Sequence, residues 1–439
     1  MWVEELRLDN IKCFDGSTLR FAKKEEPHRW VTFLSENGGG KSTALQALAV
    51  LLAGPESVQK LAPRPIGWLR DENKAGLIAT RVHQGVNDPG QHGDDKVRRA
   101  FGYSFHVTGS RPLTIRNRSY SEPAIIESKE SNLSWLRQNA FAAMGKGWFA
   151  AGYGAFRRLT RSNRILIPSL EPQARFTNFV TQFNEDEPLS AFEQWMVYLD
   201  YRIGKLNDND ARRKQEIGIA AINSLLPEGV EFDSVSGEGR IYFNINGIPV
   251  PTTSLSDGYR SILALSGDLV WRLLNTFPDS PHPLHEEGVV LIDELDIHLH
   301  PVWQQKIAGL LRVQFPNIQF IVATHSPLIA AGAGEDALTL KFDIVDGKSR
   351  VTEVRDIAAM NVDRILQSEA FGLVSPYSPQ TQAKIDRYDD LKRRKRKPNE
   401  EKELAQLEMF MEEARPFGGP PPPGSLDARI EDFLSKALK

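Results

Sequence analysis

The segment FLSENGGGKSTALQALAVLLAG, residues 33–54, decides how this chain is read. It almost spells a phosphate-binding loop, whose pattern is G-x-x-x-x-G-K-[ST]. Gly40, Lys41 and Ser42 close the pattern, but Ser35 stands where the opening glycine belongs. Such a loop works because backbone N–H groups at a helix N-terminus point at phosphate oxygens. Gly38, Gly39 and Gly40 supply the close backbone approach, Lys41 the point charge, and Ser42 a hydroxyl for Mg2+. Ser35, Asn37 and Thr43 complete the candidate lining. The flanks fit: RWVTFL (29–34) reads as a strand running into the loop. KSTALQALAVLLAG then places Leu45, Leu48 and Leu52 on one helical stripe that stops at Gly54. Alone, the stretch leaves two readings open, a nucleotide site and a structural glycine turn.

The whole chain sets bounds. Its 439 residues exceed what one simple core holds, so two or three lobes are expected. It is 41% hydrophobic and 25% charged, an ordinary globular composition. A formal net charge of −3 argues against general adhesion to nucleic acid, while leaving room for a local basic face. Cys13 is the single cysteine, which excludes an intramolecular disulfide and suits a reducing cytoplasm. Its plain reading is a small buried hydrophobe. The charged start MWVEELRLDN lacks the apolar core of a secretory signal. No apolar run approaches the ~18 residues that a membrane span needs. The expected location is the cytoplasm, with no membrane partner.

Downstream, WVEELRL (2–8) alternates like a half-buried strand, and RIYFNINGIPVP (240–251) carries an Asn-Gly hairpin signal. SLSDGYRSILALSGDLVWRLL (254–274) opens with capping residues and continues as an amphipathic helix. GVVLIDE (288–294) is a continuous apolar run ending in two carboxylates, the pattern of a parallel strand covered on both faces. PVWQQKIAGLLRVQF is a proline-opened helix, and NIQFIVATHSP (317–327) is another buried strand. After about residue 376 come two charged helices broken at Pro398, a Pro/Gly linker and a short last helix.

The chemistry gathers in four places. Asp293, at a strand end, is placed to hold Mg2+ together with Ser42, and Glu294 stands where a general base orients the attacking water. LSDGY (255–259) resembles the signature of ABC-type ATPases, in which a serine and a glycine at a helix N-terminus bind the γ-phosphate held by a partner subunit. Ser256 and Gly258 match, whereas Asp257 and Tyr259 depart from the transporter version. ATHSP (323–327) resembles the switch segment of that class, with His325 sensing the γ-phosphate. Asp296 falls at its D-loop position. Phosphate loop, signature, carboxylate pair and histidine follow one another in the ABC order.

Spacing narrows the branch, because Ser42 and Ser256 lie 214 positions apart. No heptad register lasts long enough to fill that gap with a long coiled coil, as chromosome-maintenance heads do. Compact insertions of the RecF-like and OLD-like kind fit better. GWFAAGYGAFRRL, LIDELDIHLHPVWQQ and FPNIQFIVATHSPLI are similar to stand-alone ATPases of bacterial anti-phage defence, the Septu and retron-associated ATPases. The resemblance covers about residues 1–375. It implies an α/β ABC-type P-loop ATPase head with a RecA-like core sheet, a helical lobe and a C-terminal helical tail. It divides the chain into 1–110 (first part of the ATPase core), 111–284 (insertion and signature lobe), 285–375 (second part of the core) and 376–439 (tail). It further implies ATP and Mg2+ as ligands, and a homodimer or higher oligomer that sandwiches ATP. The partner would be a separate effector nuclease. A RecF-like repair ATPase that binds DNA directly, and an ATP-binding scaffold of slow turnover, remain as alternatives.

Four arginines in GAFRRLTRSNR (Arg157, Arg158, Arg161 and Arg164) offer a phosphate or nucleic-acid contact, a solvated face or an inter-lobe salt bridge. LKRRKRK (391–397) reads as a charged hairpin tip or as a contact for DNA, RNA or an acidic partner. His298 and His300 alternate in a post-strand turn and read as one packed and one solvated side chain rather than as zinc ligands. Trp148 and Trp303 read as packing residues. No D-x-D pair or H-N-H-like cluster follows the histidine, so no nuclease of its own is expected in the chain.

Overall fold

Successive residues of a strand face opposite sides, so a run such as GVVLI can serve two cores at once. In the computed structural model Val289 and Leu291 join one hydrophobic cluster, while Val290 and Ile292 join another on the opposite face. The structure describes residues 1–24, 26–90, 100–115, 118–141, 146–157, 159, 174–184, 189, 191–373, 375, 377–394, 397 and 400–413.

The central sheet has six strands, in the order Phe149–Tyr153, Gly288–Ile292, Ile318–Thr324, Trp30–Leu34, Leu338–Val345 and Lys348–Val354. The first five are parallel and only the last hairpin strand runs back. A second, antiparallel sheet joins Trp2–Asp9 to its neighbours Ser17–Arg20 and Gly76–His83, and continues through Ala100–Thr108 to Ala124–Glu127. The phosphate-loop helix, Lys41–Ala53, contributes Ala44, Leu45, Leu48, Val50 and Leu52 to the cluster that also holds Leu6, Leu8, Ile78 and Phe105 of this second sheet. Sequence periodicity led us to expect a single apolar stripe at Leu45, Leu48 and Leu52. Instead the helix is buried nearly all round, because it lies between two sheets. That explains its run of alanines and leucines: a helix with no solvent face needs no polar one.

The other face of the central sheet is covered by the helices Ala191–Leu206, Asn209–Leu225, Asp257–Thr276 and Pro301–Gln314. The expected hairpin forms from Ile241–Ile245 and Ile248–Pro251, with Asn246 and Gly247 both at positive φ. Such φ values are those of a primed two-residue turn, which Asn-Gly accommodates with the least strain. The strand Phe149–Tyr153 falls within the stretch assigned to the insertion, yet it pairs with Gly288–Ile292 as the edge of the central sheet.

Residues Met1–Gly372 form one compact unit and Leu373–Lys439 a second. Within the second, the helices Pro379–Arg393 and Glu400–Glu413 are joined by ion pairs of Arg387 with Glu403 and of Arg394 with Glu400. Leu391 is fully buried there. Within the basic run, Lys392 pairs with Glu408 and Arg394 with Asp390 and Glu400, which supports the hairpin-tip reading for these residues. Lys395 and Arg396 lie outside the described residues, as does the stretch for which the sequence predicts a short last helix. The longest described helix has 20 residues, so no long coiled coil occurs among the described residues.

Candidate active site

Three adjacent parallel strands end side by side, so Asp293, His325 and Ser35 leave the same edge of the sheet. The carboxyl ends of parallel strands are where open α/β sheets bind ligands. The helix that follows Ser35 begins at Lys41, with Gly40 at φ 106° as its cap. A side chain at Gly40 would strike Cys13 and Phe14, and one at Gly39 would come within 2.6 Å of Ser35 Cβ and Oγ. Ser349 Oγ donates to the Gly39 carbonyl at 2.8 Å. Cys13 is half-buried beneath the loop, its Sγ 3.8 Å from the same carbonyl, and burial pushes its thiol pKa up. The loop is thus held from below and open above, where Glu36, Asn37 and Gly38 are exposed.

Lys41 is buried. Its ammonium donates to Ser35 O at 3.1 Å and to Ser35 Oγ at 2.9 Å, and it reaches His325 Nε2 at 2.9 Å. An ammonium has donors only, so His325 Nε2 accepts here. The same nitrogen lies 3.4 Å from Glu294 Oε1. Burial lowers the Lys41 pKa, and the carboxylates Glu294, Asp293 and Asp296 oppose that shift.

Asp293 and Glu294 are both pushed up, chiefly by desolvation. A hydrogen bond from Ser42 and the charges of Lys41 and Arg157 pull Asp293 back, while His325 and Lys41 pull Glu294 back. Asp293 Oδ1 is buried without a hydrogen-bond partner. A buried carboxylate oxygen left bare beside a serine hydroxyl fits a Mg2+ ion, which takes one or two carboxylates and fills its remaining positions with water and phosphate. Asp296 accepts from Thr324 Oγ1 and, at 3.2 Å, from the His325 backbone N–H, tying the D-loop to the histidine strand.

Ser256 caps the helix Asp257–Thr276, its Oγ accepting from Tyr259 N at 3.4 Å, and both Ser256 and Asp257 are exposed. A Cβ at Gly258 would come within 2.7 Å of the His298 carbonyl, so the signature helix abuts the D-loop turn. Lys41, Ser35, Ser42, Asp293, Glu294, Asp296 and His325 therefore form one cluster, beside which the signature presents an open helix N-terminus. Thr43 is buried in the first helical turn. His300 caps the helix Pro301–Gln314 through Nδ1. Trp148 is buried, and Trp303 packs against the second core.

Sequence reasoning missed one residue. Arg157, offered above as a surface or phosphate contact, is 3% exposed and faces inward. Its guanidinium donates to the carbonyls of Gly154 (2.8 Å), Asp293 (2.6 Å) and Glu294 (2.9 Å). Burial lowers its pKa to about 10, and Asp293, Asp296 and Glu294 hold it from falling further. Arg158, Arg161 and Arg164 lie outside the described residues.

Sheet order and motif cluster define an ABC-type P-loop ATPase. Residues 36–331 match the family described as AAA domain, putative AbiEii toxin, Type IV TA system; this is about two thirds of the chain, which belongs to that family. The Septu protein PtuA of Bacillus mycoides (strain KBAB4) is 27% identical over 390 residues, 88% of this chain and 47% of that protein. The retron Vc95 probable ATPase of Vibrio cholerae serotype O1 biovar El Tor is 49% identical over 84 residues, 19% of this chain and 16% of that protein. The chain spans less than half the length of these curated relatives. Among solved structures, an Smc head bound to the C-winged helix domain of ScpA aligns with 82% of this chain and 100% of its own, at 16% identity and a TM-score of 0.49. The SMC head domain of Thermotoga maritima aligns at 17% identity and a TM-score of 0.44.

Proposed function

We propose that this chain binds and hydrolyses ATP and dimerises around it, each ATP lying between the phosphate loop of one copy and Ser256 and Gly258 of the other. The observation that carries the reading is the cluster at the sheet edge: the Lys41 ammonium, the bare Asp293 oxygen beside Ser42, and Glu294 within reach of His325. Bound Mg2+ would neutralise charge developing on the β and γ oxygens. Lys41 leaves Ser35 and His325 to meet the triphosphate. Glu294, as the carboxylate, takes a proton from water as its oxygen bonds the γ-phosphorus and the bond to the bridging oxygen breaks. ADP leaves with that electron pair. His325 Nε2, freed of Lys41, faces the γ-phosphate.

The named relatives support a role in anti-phage defence. In our reading that role is played in the cytoplasm, where the ATP state of the dimer licenses a separate effector nuclease. Direct nucleic-acid binding loses one candidate contact, because Arg157 turns inward. A second reading, an ATP-binding scaffold of slow turnover, is favoured by one feature: Ser35 Oγ holds Lys41, a contact that glycine would not make.

The test is ATP-dependent dimerisation and phosphate release. Glu294→Gln should dimerise with ATP and release no more phosphate than Lys41→Ala. The wild type should exceed both by on the order of a hundredfold or more. A wild type indistinguishable from Lys41→Ala, with Ser35→Gly restoring turnover, would establish the scaffold. A Glu294→Gln chain that stays monomeric with ATP would refute the sandwich.

A further inference from the structure

Glu294 sits at φ 50°, in the left-handed region, although it is neither glycine nor asparagine. A residue held there costs of order 1 kcal/mol or more and persists only where its surroundings over-determine it. Backbone bonds account for part of the restraint: Asp293 N–H donates to Tyr153 O at 2.8 Å and Leu295 N–H to Ala323 O at 3.1 Å. These hold the N–H groups of the residues flanking Glu294 to two neighbouring strands, and between them lie the carbonyls of Asp293 and Glu294, the latter also accepting from Ile297 N–H at 3.2 Å. Arg157 meets those two carbonyls. Nη1 is shared between Gly154 O and Asp293 O, and Nη2 donates to Glu294 O.

A guanidinium is planar with its donors in a fixed fork, so three carbonyls bound at once define an orientation that a point charge could not. Arg157 therefore comes from the end of the edge strand and staples two consecutive peptides of the acidic turn to that strand. Its loop is anchored at the far side as well. The carbonyl of Leu159 accepts from Arg260 Nη2 at 2.8 Å, and Arg260 lies one turn into the signature helix. Buried arginine on backbone carbonyls, with no carboxylate in hydrogen-bond contact among the described residues, is an expensive way to fill a core. Two of its three carbonyl partners sit on the residues whose carboxylates must be aimed.

We propose that Arg157 is a positioning residue for hydrolysis: it touches neither nucleotide nor water, and holds the Asp293–Glu294 backbone so that the Glu294 carboxylate points at the attacking water. This rests on the hydrolytic reading of the site. Displacing a catalytic group by about 1 Å costs up to a hundredfold in rate, whereas nucleotide binding depends mostly on the phosphate loop. The expected signature is a fall in kcat at constant KM.

Steady-state ATPase kinetics on Arg157→Lys and Arg157→Gln, with ATP-binding titrations and thermal melts, supply the test. Lysine keeps the charge and reaches some of the carbonyls, so kcat should fall about tenfold in Arg157→Lys and about a hundredfold in Arg157→Gln. KM and nucleotide affinity should stay within about twofold in Arg157→Lys. A wild-type kcat in Arg157→Lys, or a loss confined to KM, overturns the inference, and so does a failure of Arg157→Lys to fold, which would assign the residue to structure alone. A wild type releasing no phosphate above Lys41→Ala would instead refute the hydrolytic reading, and this inference with it. A hydrolysing wild type matched by Arg157→Lys would remove this inference alone.

Discussion

Asp293 shows how a site can be assembled at the expense of stability. Its carboxyl is buried, one oxygen has no partner, and desolvation raises its pKa above the ordinary carboxylate value. Between the unfolded and the raised folded value the native state binds the extra proton. Stability therefore falls as pH rises through that window, and the full cost stays above it. Asp293→Asn removes the ionisation. Without nucleotide, the variant should melt higher than the wild type near neutral pH, by about 1–3 °C, and the gap should close as pH falls into the carboxylate range. The added stability that Mg2+ and ATP give the wild type should vanish in the same variant. Melting curves across pH, with and without Mg2+ and ATP, check both halves. Identical curves for the two apo chains would mean that the bare oxygen carries no cost. Ser35 differs, since its hydroxyl is satisfied by Lys41 and the Glu36 carbonyl. The serine that breaks the motif at the strand-to-loop turn is thus built into the resting cluster.

At the scale of elements, the edge strand and the signature helix are joined by a buried polar link. Tyr153 OH donates to Asp268 Oδ2 at 2.9 Å, and Arg272 closes on the same oxygen while also reaching Asn178 and Thr177. Asp268 is fully buried. Removing its carboxylate by Asp268→Ala strands Arg272 in the core and should cost about 3–5 kcal/mol. Tyr153→Phe, which spares the ion pair, should cost about 1 kcal/mol. Urea unfolding measures both, and equal losses would show that the pair is not the stabilising part. Elements with strong signals were legible in the sequence. Apolar runs ending in polar loop residues gave the strands 30–34, 288–292 and 318–324, and Asn-Gly gave the hairpin. Phe149–Tyr153 was not placed in the central sheet, since a five-residue run of aromatics, alanine and glycine says nothing about which strand it will join. Arg157 was misread for a related reason. In GAFRRLTRSNR four arginines look alike, and only the fold shows that Arg157 faces inward.

At the scale of the whole molecule, one question is which chain completes the site. The cluster on Met1–Gly372 holds Lys41, the bare Asp293 oxygen and Glu294, yet Ser256 is exposed and occupied with capping its own helix. A helix N-terminus facing solvent is a ready anion site, and a second copy related by a two-fold axis would bring a γ-phosphate to it. This geometry separates a composite site from a self-contained one. Lys41→Ala and Ser256→Arg should each be inactive alone. Mixed in equal amounts, they form heterodimers that carry one site with both defects and one with neither. Random pairing then restores about a quarter of wild-type turnover, since half the dimers have one good site of two. The recovered rate should scale with the heterodimer fraction, measured by native mass spectrometry on differently tagged chains. A mixture as inactive as its parents, despite heterodimers, would refute the composite site, and a Ser256→Arg chain that keeps wild-type turnover alone would leave the exposed Ser256 without a role in catalysis.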